Sequence, residues 1–301
     1  MRKASLLKEI KSKKVYYSML IPFMLLFITF TVLPVVISFF LSFSTFDMLN
    51  PPRFAGLNNY ISLFLHDDEF LIALRNTFVL AIIVGPISYF ASFIFAWLIN
   101  ELPRKVRWLF TIIFYAPSIS GSAFLLWILI FSGDYYGYLN GFLINLNIIS
   151  EPIQWLRTPK YALPIIIIVQ LWLSLGVSFL SFVAGLQTVD TVLYEAAAID
   201  GIKNRWQELW YITLPQMKPQ LMFGALMQIT SSFGIASVST ALLGFPSVEY
   251  SGHTIVTHMM DFGPGSQRLE LGYASAIATI LFFIMIIANT LVQKVIRRVG
   301  T

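Results

Sequence analysis

Six stretches of the chain are almost free of charge and long enough to cross a bilayer, and short polar connections separate them. They cover roughly 16–44, 71–99, 107–131, 161–186, 219–243 and 271–294. A helix needs about 20 apolar residues to span the hydrocarbon layer, so the pattern predicts an all-α integral membrane protein with six spans. The first stretch, Tyr16 to Phe43, exceeds the roughly 7–15 residues of a signal-peptide core and lacks a small-residue cleavage site, so it reads as a retained anchor. Prolines inside the stretches (Pro22, Pro34, Pro86, Pro117, Pro164) predict kinks, because each removes a backbone donor that neighbouring helices must compensate.

Composition supports lipid as the main solvent. Of 301 residues, 57% are hydrophobic and 12% charged, against about 25% charged in soluble domains. The absence of cysteine excludes disulfides and thiol chemistry. The histidines are His66, His253 and His258; the last two are five apart in a connection with no third ligand nearby, so no metal site is expected. Fifteen Lys and Arg fall on one side of the six stretches and five on the other, which places both termini and the 187–218 connection in the cytoplasm. Residues 1–15 then form a basic cytoplasmic N-terminus and 16–301 a single transmembrane domain. The net charge of +5 suits anionic lipid and does not call for nucleic acid.

The opposite connections, 45–70, 132–160 and 244–270, carry Tyr135, Tyr136, Tyr138, Trp155 and Tyr250. These fit an interfacial aromatic belt, or a docking rim for an external partner. The acids Asp67, Asp68 and Glu69 read as a solvated turn. The chain has no phosphate-binding GxxxxGK[ST] loop, no GxSxG and no HExxH, so it carries neither an ATP site of that kind nor those hydrolytic centres. An intramembrane enzyme would need a compact cluster of His, Asp or Glu near one membrane face, and that acidic trio is the only compact group; a secondary carrier would show internal repeats or intramembrane charge, and neither is seen.

Residues 195–219, EAAAIDGIKNRWQELWYITLPQMKP, form a charged island between the fourth and fifth stretches. Thr188 or Asp190 can cap a short helix whose Glu195 sits near the positive end. Gly201 breaks that helix and permits a sharp turn. Trp206, Leu209 and Trp210 are spaced to bury one stripe of a second helix, and Leu214-Pro215 stops it. Pro219 suits the first turn of the fifth span. On spacing alone this is an amphipathic connector.

The order Glu195-Ala196-Ala197, Asp200-Gly201 and Ile212-x-Leu214-Pro215 resembles the EAA loop of the membrane subunits of type I ABC importers, with residue types and spacings agreeing over twenty-one positions. Residues 54–60 (FAGLNNY), 68–80 (DEFLIALRNTFVL), Tyr17 to Pro34 and Gly272 to Ala276 resemble the carbohydrate branch of that family, the maltose-type permeases. Leu242-Leu243-Gly244-Phe245-Pro246 departs from the LTxGGP stretch common there. The resemblance implies a six-span type I permease fold in a bacterial cytoplasmic membrane. It implies a non-catalytic subunit that moves a sugar or oligosaccharide, with another solute class as the alternative. The expected partners are a second homologous permease, two ATP-binding cassette subunits and an extracytoplasmic solute-binding protein. ATP and Mg would sit on the ATPases and no cofactor on this chain.

In that family the loop is a coupling helix seated in a cleft of the ATPase, which assigns contact roles to Glu195, Ala196, Ala197, Asp200, Gly201, Ile212, Leu214 and Pro215. Trp172, Leu173, Ser174 and Val177 on the fourth span, and Met227, Thr230 and Ser231 on the fifth, match stretches that line the sugar path. Met227, Thr230, Ser231 and Gly234 share one helical face. An aromatic ring beside scattered hydroxyls suits a sugar, and small polar residues equally serve close helix packing.

Overall fold

In the computed structural model, residues 13–297 are described. Most of the basic N-terminus (1–12) and the last four residues, including Arg298, lie outside that range. Helix α1 (Lys14–Leu41) is apolar on all sides and buries none of its most apolar window within the chain. A helix of that kind needs lipid or another subunit around it. A π-helical turn at Ile28–Val32 interrupts it. Pro34 follows directly, and its missing N–H leaves a carbonyl one turn back that the wider turn accommodates.

The described residues pack as two compact units, 13–62 with 261–279, and 63–260 with 280–297. In the first, strands β1 (Ser44–Thr45) and β2 (Arg53–Phe54) form a small antiparallel hairpin before α2 (Asn58–Leu65). Asn59, from the FAGLNNY stretch, donates to the carbonyls of Ser42 at 2.8 Å and Ser44 at 3.0 Å. Tyr60 donates to the Ser42 hydroxyl at 2.7 Å. Those residue types therefore hold the exit of α1 closed on its own turn.

The second unit is organised by α3 (Asp68–Asn100), 33 residues and about 50 Å long. Asp67 caps it by accepting from the Phe70 amide at 2.8 Å, and Asp68 and Glu69 sit in its first turn. The third apolar stretch is not one straight helix as the pattern suggested. It splits into α4 (Arg104–Ile119) and α5 (Ala123–Ile130), bent by 81°. Pro117 and the run Ser118-Ile119-Ser120-Gly121-Ser122 explain this, since a missing donor precedes poor helix formers. The connection that follows contains α6 (Tyr138–Asn145) and is built around the fully buried Asn140. Its amide binds the carbonyls of Ser132, Asp134 and Ile153, and accepts from Trp155 Nε1 at 2.8 Å. Trp155 is thus a structural anchor, whereas Tyr135, Tyr136 and Tyr138 are exposed.

The fourth and fifth stretches are also interrupted. The fourth is α7 (Pro159–Leu173) and α8 (Val177–Thr188), separated at Ser174–Gly176. After α9 (Thr191–Ile199) and α10 (205–216) come α11 (Lys218–Phe233) and α12 (Ser237–Leu243), separated at Gly234–Ala236. Helix α13 (Ile255–Asp261) and the last span, α14 (Leu271–Ile296), complete the chain. Helices α3, α8 and α11 form the core around the fully buried Phe179, Phe182 and Met217. Close approach drives this packing, because lipid is as apolar as the side chains it would replace. Gly224 permits it: a Cβ there would overlap the Phe182 ring.

Candidate functional sites: the 187–218 loop, the broken helices and a buried histidine junction

Helix α9 begins where Asp190 accepts from the Val192 amide at 3.0 Å. It ends with Ile202 N–H bonded to Ala197 O at 3.0 Å and Gly201 N–H to Ala198 O, with Gly201 at φ +96°. That is a Schellman stop, and it needs a residue tolerant of positive φ. The helix starts at Thr191, so Glu195 lies beyond the first turn rather than near the positive end as expected from sequence. Asn204 then caps α10, accepting from Gln207 N at 2.9 Å, while the Gln207 side chain accepts from Lys203 N at 2.9 Å. This Asn-x-x-Gln capping signal is present in the sequence itself, at Asn204 and Gln207.

Helix α10 departs from expectation in two ways. It continues through Leu214–Gln216 instead of stopping at Leu214-Pro215. A π-helical turn at Leu209–Thr213 absorbs the donor that Pro215 lacks, and it changes which face is buried. Leu209, Ile212 and Thr213 are buried, whereas Trp206 and Trp210 are 71% and 61% exposed. Trp206 instead lies against Trp97 of α3, with ring centroids 5.2 Å apart.

The two arms of the loop are braced by Tyr194 OH and Thr213 Oγ1 at 2.8 Å. Arg205 pairs with Glu208 at 2.7 Å and with Glu101 at the end of α3 at 3.0 Å. The Glu208 hydrogen bond first, then the Glu101 charge, raise the Arg205 pKa above its ordinary value. Behind the arms is a polar cavity lined by Glu101, Arg107, Tyr194, Arg205, Glu208 and Thr213. Among the predicted contact residues, Glu195, Ala196, Asp200 and Gly201 are exposed, Ala197 and Ile212 are buried, and Leu214 and Pro215 are half-buried. The family pattern therefore mixes surface positions with positions that hold the loop's shape. Beside the exposed ones, Ile199 is 88% exposed. Its place two residues before Gly201 was readable in the sequence but not singled out.

Near mid-chain, the helix interruptions meet. A Cβ on Gly176, in the break of the fourth stretch, would lie 3.6 Å from Ser118 at the end of α4. Gln228 of α11 donates to the Ser174 carbonyl at 3.2 Å and to Ser92 Oγ at 3.4 Å. Irregular backbone within a membrane persists only where protein or a watery cavity satisfies it. Gln228, which the sequence reading did not select, meets that need for Ser174. Of the predicted path residues, Ser174 is buried, with its hydroxyl on Leu171 O at 2.6 Å. Trp172 is half-buried against Trp127 at 5.7 Å, and Leu173 packs with Phe131 and Val169. Val177, Thr230 and Ser231 are exposed and Met227 half-buried, so this face of α11 is uncovered by the chain itself.

At the other end of α3 the structure assembles a group that sequence separation concealed. His258 Nε2 lies 3.0 Å from Asp67 Oδ2, and its Nδ1 lies 3.1 Å from His253 Nε2. His253 Nδ1 in turn faces Thr257 Oγ1 at 3.2 Å. Burial first, and His258 second, push the His253 pKa down to about 4. Asn76 secures the junction by donating to the carbonyl of His253 at 2.9 Å and those of Tyr250 and Ser251 at 3.3 Å, while Thr77 accepts from Ile255 N at 2.9 Å. Two expectations are corrected here. Asp67 and Glu69 come near His258, so a third candidate ligand does exist, and the acidic trio is more than a solvated turn. The partners are about 190 residues apart in sequence, which no spacing rule reaches.

Residues 88–301 match the family described as the binding-protein-dependent transport system inner membrane component. The chain belongs to that family. A probable ABC transporter permease protein, YesP of Bacillus subtilis, is 30% identical over 89% of this chain and 86% of its own length. The arabinooligosaccharides transport permease AraP of Halalkalibacterium halodurans is 29% identical, covering 92% and 86%. The fold is shared with a bacterial ABC transporter involved in alginate import, at 22% identity and a TM-score of 0.75, covering 99% and 100% of the two chains. The protein is thus a multi-pass, non-catalytic permease subunit with a type I ABC importer fold, working with a solute-binding protein.

Proposed function

We propose that this permease subunit carries a sugar or oligosaccharide across the cytoplasmic membrane, driven by ATP hydrolysis on separate subunits. Relatives named for lactose, arabinooligosaccharides and polygalacturonan or rhamnogalacturonan transport support the solute class. In this reading the 187–218 loop and both termini face the cytoplasm, in line with the Lys and Arg distribution. A second homologous permease completes the pathway, two ATPases carrying ATP and Mg bind beneath, and this chain holds no cofactor.

The observation that carries the proposal is the braced loop with a bare tip. A rigid hook transmits motion only if its own bonds do not yield, and the Schellman stop, the Asn204 cap and the Tyr194–Thr213 brace supply that rigidity. Glu195 and Ile199 are then free to enter a cleft in the ATPase, where closure favours one state of the spans by its difference in affinity. Glu195 makes a charge-assisted contact with a basic ATPase residue, worth about 1.5–3 kcal/mol when shielded from water. Solute passes the interruptions at Ser174–Gly176 and Gly234–Ala236, where broken helices and small polar residues offer hydrogen-bonding groups. Trp172, Val177, Met227, Thr230 and Ser231 contact it there, with Leu173 and Ser174 supporting the break.

The test is Ile199→Asp combined with Glu195→Lys in the assembled transporter. Assembly and thermal stability of the membrane subunits should persist, while ATP-dependent uptake of the saccharide held by the cognate binding protein falls at least tenfold. Uptake that continues unchanged, or that collapses with an uncoupler while ATP stays constant, would overturn the reading.

A further inference from the structure

We infer that Asp67, Glu69 and His258 form a binding site for a divalent transition-metal ion, zinc or manganese, at the end of α3 remote from the 187–218 loop. One ligand atom from each lies within 4.8 Å of the others. His258 is fully buried and fixed, while the two carboxylates are half-buried and reachable from solvent. One imidazole with two carboxylates and no thiol suits Zn²⁺ or Mn²⁺; Ca²⁺ and Mg²⁺ prefer all-oxygen ligand sets.

One of the separations is already that of a chelate. Adjacent ligands of an octahedral ion bound at about 2.1 Å are about 3.0 Å apart. His258 Nε2 and Asp67 Oδ2 are separated by 3.0 Å. The other carboxylate oxygen of Asp67 accepts from the Phe70 amide, so Oδ2 keeps its direction toward His258. Glu69, in the same first turn, brings a carboxylate oxygen within 4.8 Å of the other two ligand atoms.

The surroundings match what a metal-bound imidazole requires, an acceptor for its second nitrogen. With an ion on Nε2, the His258 proton sits on Nδ1 and is donated to His253 Nε2. His253 then carries its proton on Nδ1 and donates to Thr257 Oγ1, whose hydroxyl donates to Thr254 O at 2.9 Å. Every donor in the series meets an acceptor. Without an ion the series runs in the opposite sense, with Nε2–H donated to Asp67. The two senses differ in the nitrogen of His258 that carries the proton, Nδ1 with an ion and Nε2 without. The bound ion clamps the connection after α12 to the start of α3, a junction that Asn76 and Thr77 already hold by hydrogen bonds.

The experiment uses the full-length chain purified with its partner subunits, carrying no histidine tag, stripped with chelator and free of nucleotide. Zn²⁺ and Mn²⁺ are titrated separately, with Co²⁺ as a spectroscopic probe. Wild type should take up one ion per copy of this chain beyond the uptake of an Asp67→Asn/Glu69→Gln double variant. Each single variant should bind about tenfold more weakly or worse, and the visible Co²⁺ band should vanish. Asn still caps a helix, and Glu69 is not the cap; because Asp67 also meets His258, each variant is compared with its own metal-free melt, and only wild type should gain melting temperature on adding metal. Equal uptake by wild type and the double variant, no uptake by either, or a Co²⁺ band that survives both substitutions would overturn the assignment.

Discussion

The two ends of α3 are held in opposite ways. At Glu101 the helix meets the 187–218 loop through an exposed ion pair, a ring contact of Trp97 on Trp206, and apolar packing in the cluster that Ala96 and Ile99 share with Leu209. The loop's own shape comes from neighbours: Asp190 with Val192, Ala197 with Ile202, Asn204 with Gln207, and at most Tyr194 with Thr213, nineteen residues apart. At Asp67 the helix is fastened by Asn76, Thr77 and Asp67 to residues 174 to 191 positions away. A locally braced element can keep its form while leaving Ile199 and Trp210 exposed. A junction made of distant segments hides its polar groups, and so its residues are committed to one another.

The largest stability effect should therefore come from the buried end. Asn76→Ala leaves three carbonyls of the 250–253 turn without their shared donor and should cost about 2–3 kcal/mol, seen as a lower melting temperature of the purified assembly. A melt within error of wild type would remove the contrast between the two ends. Gly224→Ala probes the core between them, where overlap with Phe182 should cost about 1–3 kcal/mol in the same assay.

At the loop end the effects should be smaller in stability and larger in function. Gly201→Ala meets no neighbouring atom, so its penalty is backbone strain at φ +96°, about 1 kcal/mol. Uptake should fall severalfold while membrane insertion and assembly stay normal. Asn204→Ala removes the α10 cap, also about 1 kcal/mol, and should raise protease cleavage within 200–206. Smallest of all, Glu101→Gln should change the melt by less than about 0.5 kcal/mol, because both partners of its pair with Arg205 are largely exposed.

The EAA pattern was legible because its residues act close to home. Gly201 is read from its neighbours alone, and Asp190 likewise. The burial of α10 was misread because Pro215 converts the preceding turn to π geometry, which rotates Leu209, Ile212 and Thr213 inward and releases Trp206 and Trp210. The bend between α4 and α5 had its ingredients in Pro117 and the Ser-Gly run, but hydropathy averages across such a break. Gln228 and its bond to Ser174 could not be read at all, since a glutamine in an apolar stretch does not name its partner.

By itself the sequence determined the membrane class, the number and limits of the apolar stretches, the caps and the exposed loop, because those follow from transfer of side chains into lipid and from bonds within a few residues. Only the tertiary structure decided that His258 faces Asp67, that Gln228 supports a broken helix and that Asn76 binds the distant turn. Such pairs form when helices pack side by side, and the chain between them carries no record of which faces will meet.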